Sequence, residues 1–249
     1  PVRLAEVAAY TDELLRVADY DEGEPSNGLM LDASRPVTRI AAAVNTSFRS
    51  IEGAAAAGAE LLLVHHTTWA SIDLQLKERK ETALRTAGVS LYGAHLALDR
   101  HDDLSPSVVL ARRLGVAAEA RLGLDADRRS GVVGHAEGTF DAFVARAEAE
   151  LGVRPDAWRN TDAFGRVAIV TGGAGWTSYV EAARAAGCDT YLTGEGNMYT
   201  KLFAREVGVN LVLGTHYATE QHGVQAWAAH VADRFGLPWV FVPEDAGIL

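Results

Sequence analysis

Slid along itself by 129 residues, the chain lays the segment around Ile40 to His66 on the one around Ile169 to Glu195 without a gap. AAAAGAELLLVHH then stands beside ARAAGCDTYLTGE, and both read as helix, C-capping glycine, acidic residue, strand and a polar pair. A second repeat follows at an offset of 121, where YGAHLALD (Tyr92 to Asp99) parallels LGTHYATE (Leu213 to Glu220). Its shared pattern is Gly-x-His-x-Ala-x-acid, and each copy follows a Gly-Val pair that opens a strand. Two repeats in the same order require each half to build the same kind of sheet.

The elements between and around the repeats agree. Apolar runs of strand length alternate with Ala-rich helical stretches: strand Arg39 to Val44, helix Ser47 to Ala57, strand Leu61 to Val64, helix Lys77 to Ala87, strand Val89 to Gly93 and helix Ser107 to Leu114. A charged turn near Asp125 to Arg129 precedes the short strand in GVVGHAEG and a helix, Phe140 to Leu151, which Gly152 stops. Alternation resumes with Val167 to Val170, Ser178 to Ala186, Thr190 to Thr193, Lys201 to Val207, Leu211 to Leu213, Val224 to Phe235 and Trp239 to Val242. The pattern predicts an α/β protein of two duplicated, intimately packed lobes, residues 1–125 and 126–249, with helix-covered, mixed or mostly parallel sheets.

Composition narrows the function. With 23 basic against 33 acidic residues the formal charge is −10, which repels phosphate backbones and disfavours a broad nucleic-acid interface. One cysteine, Cys188, allows no internal disulfide and no Cys-rich zinc framework, and its place at a helix-to-strand turn predicts a buried thiol. No apolar run approaches the roughly 20 residues needed to cross a bilayer. The first residues, PVRLAEVAAYTDELL, are amphipathic and lack the basic-then-apolar order of a signal peptide, so a cytoplasmic location is expected.

In LLLVHHTTWA, four aliphatic residues run straight into His65 and His66, and a buried strand has no packing reason to end on two titratable rings. Ligands in open α/β sheets gather at the carboxyl ends of strands. Four such ends carry His65 and His66, His95 with Asp99, Gly194 with Glu195, and His216 with Glu220. Imidazole and carboxylate together suit borderline divalent ions such as Zn, Mn, Fe, Co or Ni. Adjacent rings on an extended backbone diverge, so two ions sharing a bridging carboxylate fit better than one. His65, His66, Asp99, His216 and Glu220 would leave coordination positions for water. His101, His135, His222 and His230 lack repeat partners and read as surface or local-turn residues. TGGAGWTS, Thr171 to Ser178, opens a helix after a strand; it suits an anion held on backbone N–H groups, but reads first as a tight turn capped by Thr177 or Ser178.

Taken together, these motifs resemble the Nif-three-like dinuclear metal centre hexameric proteins, also known as GTP cyclohydrolase 1 type 2 homologues. SNGLML (Ser26 to Leu31), VHHTTW, AHLALD, LTGEG and GTHYATE each match a segment of that family, over nearly the whole chain. The resemblance implies metal ligands at His65, His66, Asp99, His216 and Glu220, with Glu220 bridging. It places His95 near the cluster and Glu195 at a Thr-Gly-acid turn, where either residue serves as a proton shuttle or orients a ligand. It also implies a metal site between the lobes and a toroidal hexamer built from trimers. Two departures bear on substrate choice: Thr67 stands where many members have proline, and Gly196-Asn197-Met198-Tyr199-Thr200 replaces a His-containing stretch.

The expected function is therefore a dinuclear metal-dependent hydrolase acting on a nucleotide-like or phosphorylated small molecule. The alternative is a non-catalytic protein in which the same cluster stores metal, senses it or stabilises a ring-shaped assembly.

Overall fold

The computed structural model describes residues 1–124 and 130–249. The expected turn at Asp125 to Arg129, and the lobe boundary set beside it, fall outside the described residues. The chain divides into two compact units, Pro1–His101 with Val224–Glu244, and Asp102–Gly223 with Asp245–Leu249.

The first unit contains α1 (Leu4–Leu14), β1 (Asn27–Leu31), β2 (Ile40–Asn45), α2 (Phe48–Ala56), β3 (Leu61–His66), α3 (Ala70–Asp73), α4 (Leu76–Ala87), β4 (Ser90–Ala94) and α5 (Leu96–Asp99). The second contains α6 (Pro106–Arg113), β5 (Ala117–Leu122), β6 (Gly131–His135), α7 (Phe140–Leu151), β7 (Asp156–Trp158), β8 (Arg166–Val170), α8 (Thr177–Ala185), β9 (Thr190–Thr193), α9 (Met198–Val207) and β10 (Asn210–Leu213). Helix α10 (His216–Phe235) begins in the second unit, and its residues from Val224 belong to the first, as does β11 (Trp239–Phe241).

Both sheets are mixed. The first has the order β1-β4-β3-β2-β11, parallel throughout except for β1. The second has the order β5-β6-β8-β9-β10-β7, with β8, β9 and β10 parallel and the other pairings antiparallel. Each therefore contains an antiparallel edge followed by three parallel strands, β1-β4-β3-β2 in one and β7-β10-β9-β8 in the other. The duplication read from the repeats is present as topology.

Pairing register refines that duplication. Ile40 pairs with Leu61 and Val167 with Thr190, so β2 and β8 correspond at an offset of 127. Helices α2 and α8, and strands β3 and β9, correspond at 129. The turn between β8 and α8 is thus two residues longer than its counterpart. Ser90 and Asn210 pair with Leu61 and Thr190, an offset of 120, so the second sequence repeat lies one residue out of structural register. His95 precedes α5 as its N-cap, whereas His216 is the first residue of α10.

Both faces of the central strands are covered, which is why IAAAV and LLLV read as unbroken apolar runs rather than alternating ones. Ala41, Ala43, Leu62, Val64 and Leu91 pack with Ile51 of α2 and Leu84 of α4. In the second unit, Ala168, Val170, Tyr191 and Leu211 face Val180 and Ala204, while Val167, Ile169, Leu192 and Val212 face Leu110, Phe143 and Leu151. Three helices are capped at their starts by side chains, and glycines close three at their ends. Ser47 with Ser50 and Asn197 with Thr200 form capping boxes, Thr139 caps α7, and Gly88, Gly152 and Gly208 close helices in the left-handed region. Helix α8 departs from expectation: it starts after Trp176 with no side-chain cap from Thr177 or Ser178. Helix α10 starts two turns earlier than Val224 and runs through Gly223, where a Cβ would strike Pro106.

The acidic residue shared by the repeat has a structural task. Glu60 accepts hydrogen bonds from the Thr38 amide (2.9 Å), the Thr38 hydroxyl (2.9 Å) and the Arg39 amide (3.2 Å). Asp189 accepts from the Gly165 and Arg166 amides at 3.2 and 3.0 Å. Each carboxylate clips the start of the neighbouring parallel strand. Burial raises the Glu60 pKa, but these donors and the Arg35 guanidinium outweigh it and hold it below the ordinary value. Its stabilisation is thus present above the unfolded pKa near 4.5 and fades as pH falls. Glu60→Ala is expected to cost about 1–3 kcal/mol in urea unfolding at pH 7. The cost should shrink when the same comparison is made in acid, and equal stability at pH 7 would refute the role.

Candidate metal centre

Parallel pairing sends the carboxyl ends of β2, β3 and β4 to one edge of the first sheet, and four of the expected site residues meet there. His65 and His66 are the last two residues of β3, His95 follows β4, and Asp99 ends α5. Although successive strand side chains leave opposite faces, the His65 and His66 ring centroids lie 4.8 Å apart. His95 is 5.1 Å from His65 and 5.7 Å from His66. One ligand atom from each of the three lies within 4.8 Å of the others.

The neighbours of each ring fix its orientation. His65 Nδ1 bonds the Ala94 carbonyl at 2.7 Å, which makes Nδ1 the protonated nitrogen and leaves Nε2 3.2 Å from Asp99 Oδ1. His66 Nδ1 bonds Asn45 Oδ1 at 2.7 Å, and the Asn45 amide nitrogen donates to Glu244 at 3.1 Å, so the amide has one sensible orientation. His95 Nδ1 bonds Glu22 Oε1 at 2.7 Å. All three rings thus keep Nε2 as the nitrogen available to a cation.

Glu22 and Asn27 organise the start of α5. The Glu22 carboxylate accepts from the Asn27 amide at 2.7 Å and the Leu96 backbone at 3.2 Å, while Asn27 Oδ1 accepts from the amides of His95 and Ala97 at 2.7 and 3.1 Å. Burial raises the Glu22 pKa, but the hydrogen bond and charge of His95, with the Asn27 and Leu96 donors, bring it below the ordinary value. Trp69 lies edge-on to His95, with 5.4 Å between ring centroids, and donates its indole N–H to Ser26 at 2.9 Å.

In the second unit the cluster forms at the start of α10. His216 and Glu220 are one helical turn apart and share a face, with Nε2 3.0 Å from Glu220 Oε1. His216 Nδ1 is hydrogen-bonded to Glu195, which follows β9. Burial lowers the His216 pKa, but the hydrogen bonds and charges of Glu220 and Glu195 push it up to about 9. The residue before it, Thr215, has φ 72°, a left-handed conformation unusual for a branched side chain.

The glycine-rich turn backs this cluster. Gly172 has φ 81°, and any Cβ there would overlap the Glu220 carboxylate. Its carbonyl accepts from the amides of Gly194 and Glu195 at 2.9 and 3.2 Å, and its amide donates to Thr219 at 2.9 Å. The two residues by which this turn exceeds its counterpart let the backbone run directly beneath the acidic residues.

Sequence reasoning missed Glu22, Asn45, Thr219 and Glu244: Asn45 and Thr219 lie inside the repeated segments without being shared by both copies, and Glu22 and Glu244 lie outside them. Asn27 lay in the SNGLML segment, but its part in capping α5 was not evident. Of the histidines expected at the surface or in local turns, His135 bonds Glu137 at 3.2 Å, whereas His222 and His230 make tertiary bonds, to the Glu150 carbonyl at 2.5 Å and the Tyr10 hydroxyl at 2.9 Å. Cys188 is buried, and burial pushes its thiol up to about 11.

Known proteins are similar to this chain over nearly its whole length. A GTP cyclohydrolase 1 type 2 homolog of Allochromatium vinosum is 36% identical over 245 residues, covering 95% of this chain and 94% of that protein. The homolog of the same name from Deinococcus radiodurans is 34% identical over 261 residues, covering 98% and 94%. The solved structure of the structural-genomics protein ybgI, of unknown function, superposes with a TM-score of 0.88 at 26% identity, over 98% of this chain and 99% of that one. Among the described residues no helix is long and apolar enough to cross a membrane. With the family model matching residues 2–246, the chain belongs to the Duf34/NIF3 (NGG1p interacting factor 3) family.

Proposed function

We propose that the two histidine–carboxylate clusters hold a pair of divalent cations, and that the protein is a metal-dependent hydrolase of a nucleotide-like or phosphorylated small molecule. One observation carries the reading most strongly. Three histidines at one sheet edge each have Nδ1 committed to an oxygen acceptor, which fixes Nε2 as the reactive nitrogen, a ligand in His65 and His66 and a base in His95. The proposed ligands are His65, His66, Asp99, His216 and Glu220, a donor set that suits Zn, Mn, Fe, Co or Ni. The curated relatives' names support a hydrolytic reaction, and the ring-shaped homo-oligomer expected from the family, a hexamer, is part of the same proposal.

Bound divalent ions would supply Lewis acidity, polarising a substrate oxygen and lowering the pKa of water. The chain's own residues do the rest. His95, with Nδ1–H held by Glu22, presents Nε2 as a base, and the Glu22 carboxylate stabilises the imidazolium formed when the ring takes a proton. Glu195 holds His216 through Nδ1, which orients the ring and keeps Nε2 directed along the helix face toward Glu220. Trp69 packs against His95 and limits its rotation.

Elemental analysis of untagged protein purified from metal-replete cells is expected to find about two ions per chain; a value near zero would remove the mechanism. On a panel of nucleotides and phosphoesters, His65→Ala and His216→Ala should each lose metal and turnover together. Glu22→Gln should retain metal yet lower kcat by about 10–100-fold, the usual effect of removing a partner that orients a catalytic or ligating histidine. An unchanged kcat in Glu22→Gln would exclude His95 as the proton carrier.

A further inference from the structure

We infer that Trp176 and the first turn of α9 form the wall of a recognition pocket for a planar heteroaromatic ring of the substrate. A cavity of about 280 Å³ in the second unit is lined by Gly173, Gly175, Trp176, Glu195, Gly196 and Asn197. Trp176 is 68% exposed, and the two residues after Asn197, Met198 and Tyr199, are 64% and 62% exposed. An exposed tryptophan lining a cavity, with two further exposed large side chains next in sequence to its lining residue Asn197, is the kind of surface that takes a ligand. An aromatic face offers stacking to any flat ring without requiring a particular hydrogen-bond pattern.

The pocket opens on the proposed centre through Glu195. One carboxylate oxygen of Glu195 bonds His216, so a ring seated against Trp176 lies beside the ion-binding cluster, with a carboxylate in reach of its N–H donors. The backbone amides of Gly173, Gly175 and Gly196, all residues that line the cavity, make no hydrogen bond to described residues.

The wall is held in place before any ligand arrives. The Thr200 hydroxyl bonds the Gly175 carbonyl, Tyr191 donates to the Ala174 carbonyl at 2.7 Å, and the Asn197 side chain caps α9 through the Tyr199 and Thr200 amides. A Cβ at Gly175 would overlap the Glu195 carbonyl, so only glycine lets the two loops approach this closely. Such pre-organisation lowers the entropic cost of capturing a flat ligand.

The inference rests on the hydrolase reading for the reaction that follows binding, but its test does not. Guanosine and adenosine, with ribose as the ring-free control, are titrated into the full-length metal-loaded protein by calorimetry, alongside measured metal content, oligomeric state and turnover. The nucleosides should bind and ribose should not. Trp176→Ala and Tyr199→Ala should each weaken nucleoside binding by about tenfold or more, the scale of a lost base stack. Trp176→Phe should largely preserve binding, and none of the three should change metal content. Equal binding of ribose, no nucleoside binding, or unaltered affinity in Trp176→Ala would overturn the inference, as would a change of oligomeric state in that variant without a change in affinity. Nucleoside binding without turnover on any substrate would sink the hydrolase reading alone. Turnover with KM unchanged in Trp176→Ala would sink this one alone.

Discussion

Parallel strand pairing is the constraint from which the rest follows. Three consecutive parallel strands with helical crossovers must all end at the same edge of their sheet, and residues at those ends meet however far apart they are in the chain. In the first unit β2, β3 and β4 bring Asn45, the His65–His66 pair and His95 to one edge. In the second, β8, β9 and β10 bring the glycine turn, Glu195 and His216 to another. The unbroken apolar runs inside the strands keep this geometry rigid, because both faces of each central strand are buried and a slip of one residue would displace the whole core.

Rigid strand ends alone would not make a ligand set. Free imidazoles rotate, and either ring nitrogen can carry the proton. Each of the three first-unit histidines is held instead by a different oxygen: a backbone carbonyl for His65, the Asn45 amide for His66 and the Glu22 carboxylate for His95. Three unlike acceptors produce the same outcome, Nδ1 protonated and Nε2 presented. In the second unit the equivalent control comes from Glu195 and from a backbone turn that tolerates no side chain at Gly172.

The duplication is close in architecture and loose in detail. The acidic clip is kept, as Glu60 in one unit and Asp189 in the other, because each parallel sheet needs its strand starts tied. The strand-end chemistry has diverged. The first unit supplies three imidazoles with two carboxylates, Asp99 and Glu22; the second supplies one imidazole with two carboxylates, Glu195 and Glu220. The longer β8–α8 turn is where the second unit gained both the glycine backing of Glu220 and the exposed Trp176.

Read from sequence alone, the central strands and their crossover helices were clear, as were the duplicated halves and the strand ends that carry histidine and acid, but the short helices α3 and α5 were not. Those features depend on local periodicity and on residues close in the chain. The edge strands β1, β5 and β7 were not legible, since β5 is largely exposed and β7 spans three residues, so neither has a buried apolar signature. Nor were the partners of the histidines: Glu22 reaches His95 across 73 positions, and Glu244 reaches Asn45 across 199. Gapless alignment paired His95 with His216, whereas strand register sets them one residue apart, because insertions in turns move the chain without disturbing the pairing of strands. Sequence determined which residues stand at the strand ends. Tertiary structure decided which nitrogen each histidine presents, because that choice is made by hydrogen bonds to residues that only folding brings near.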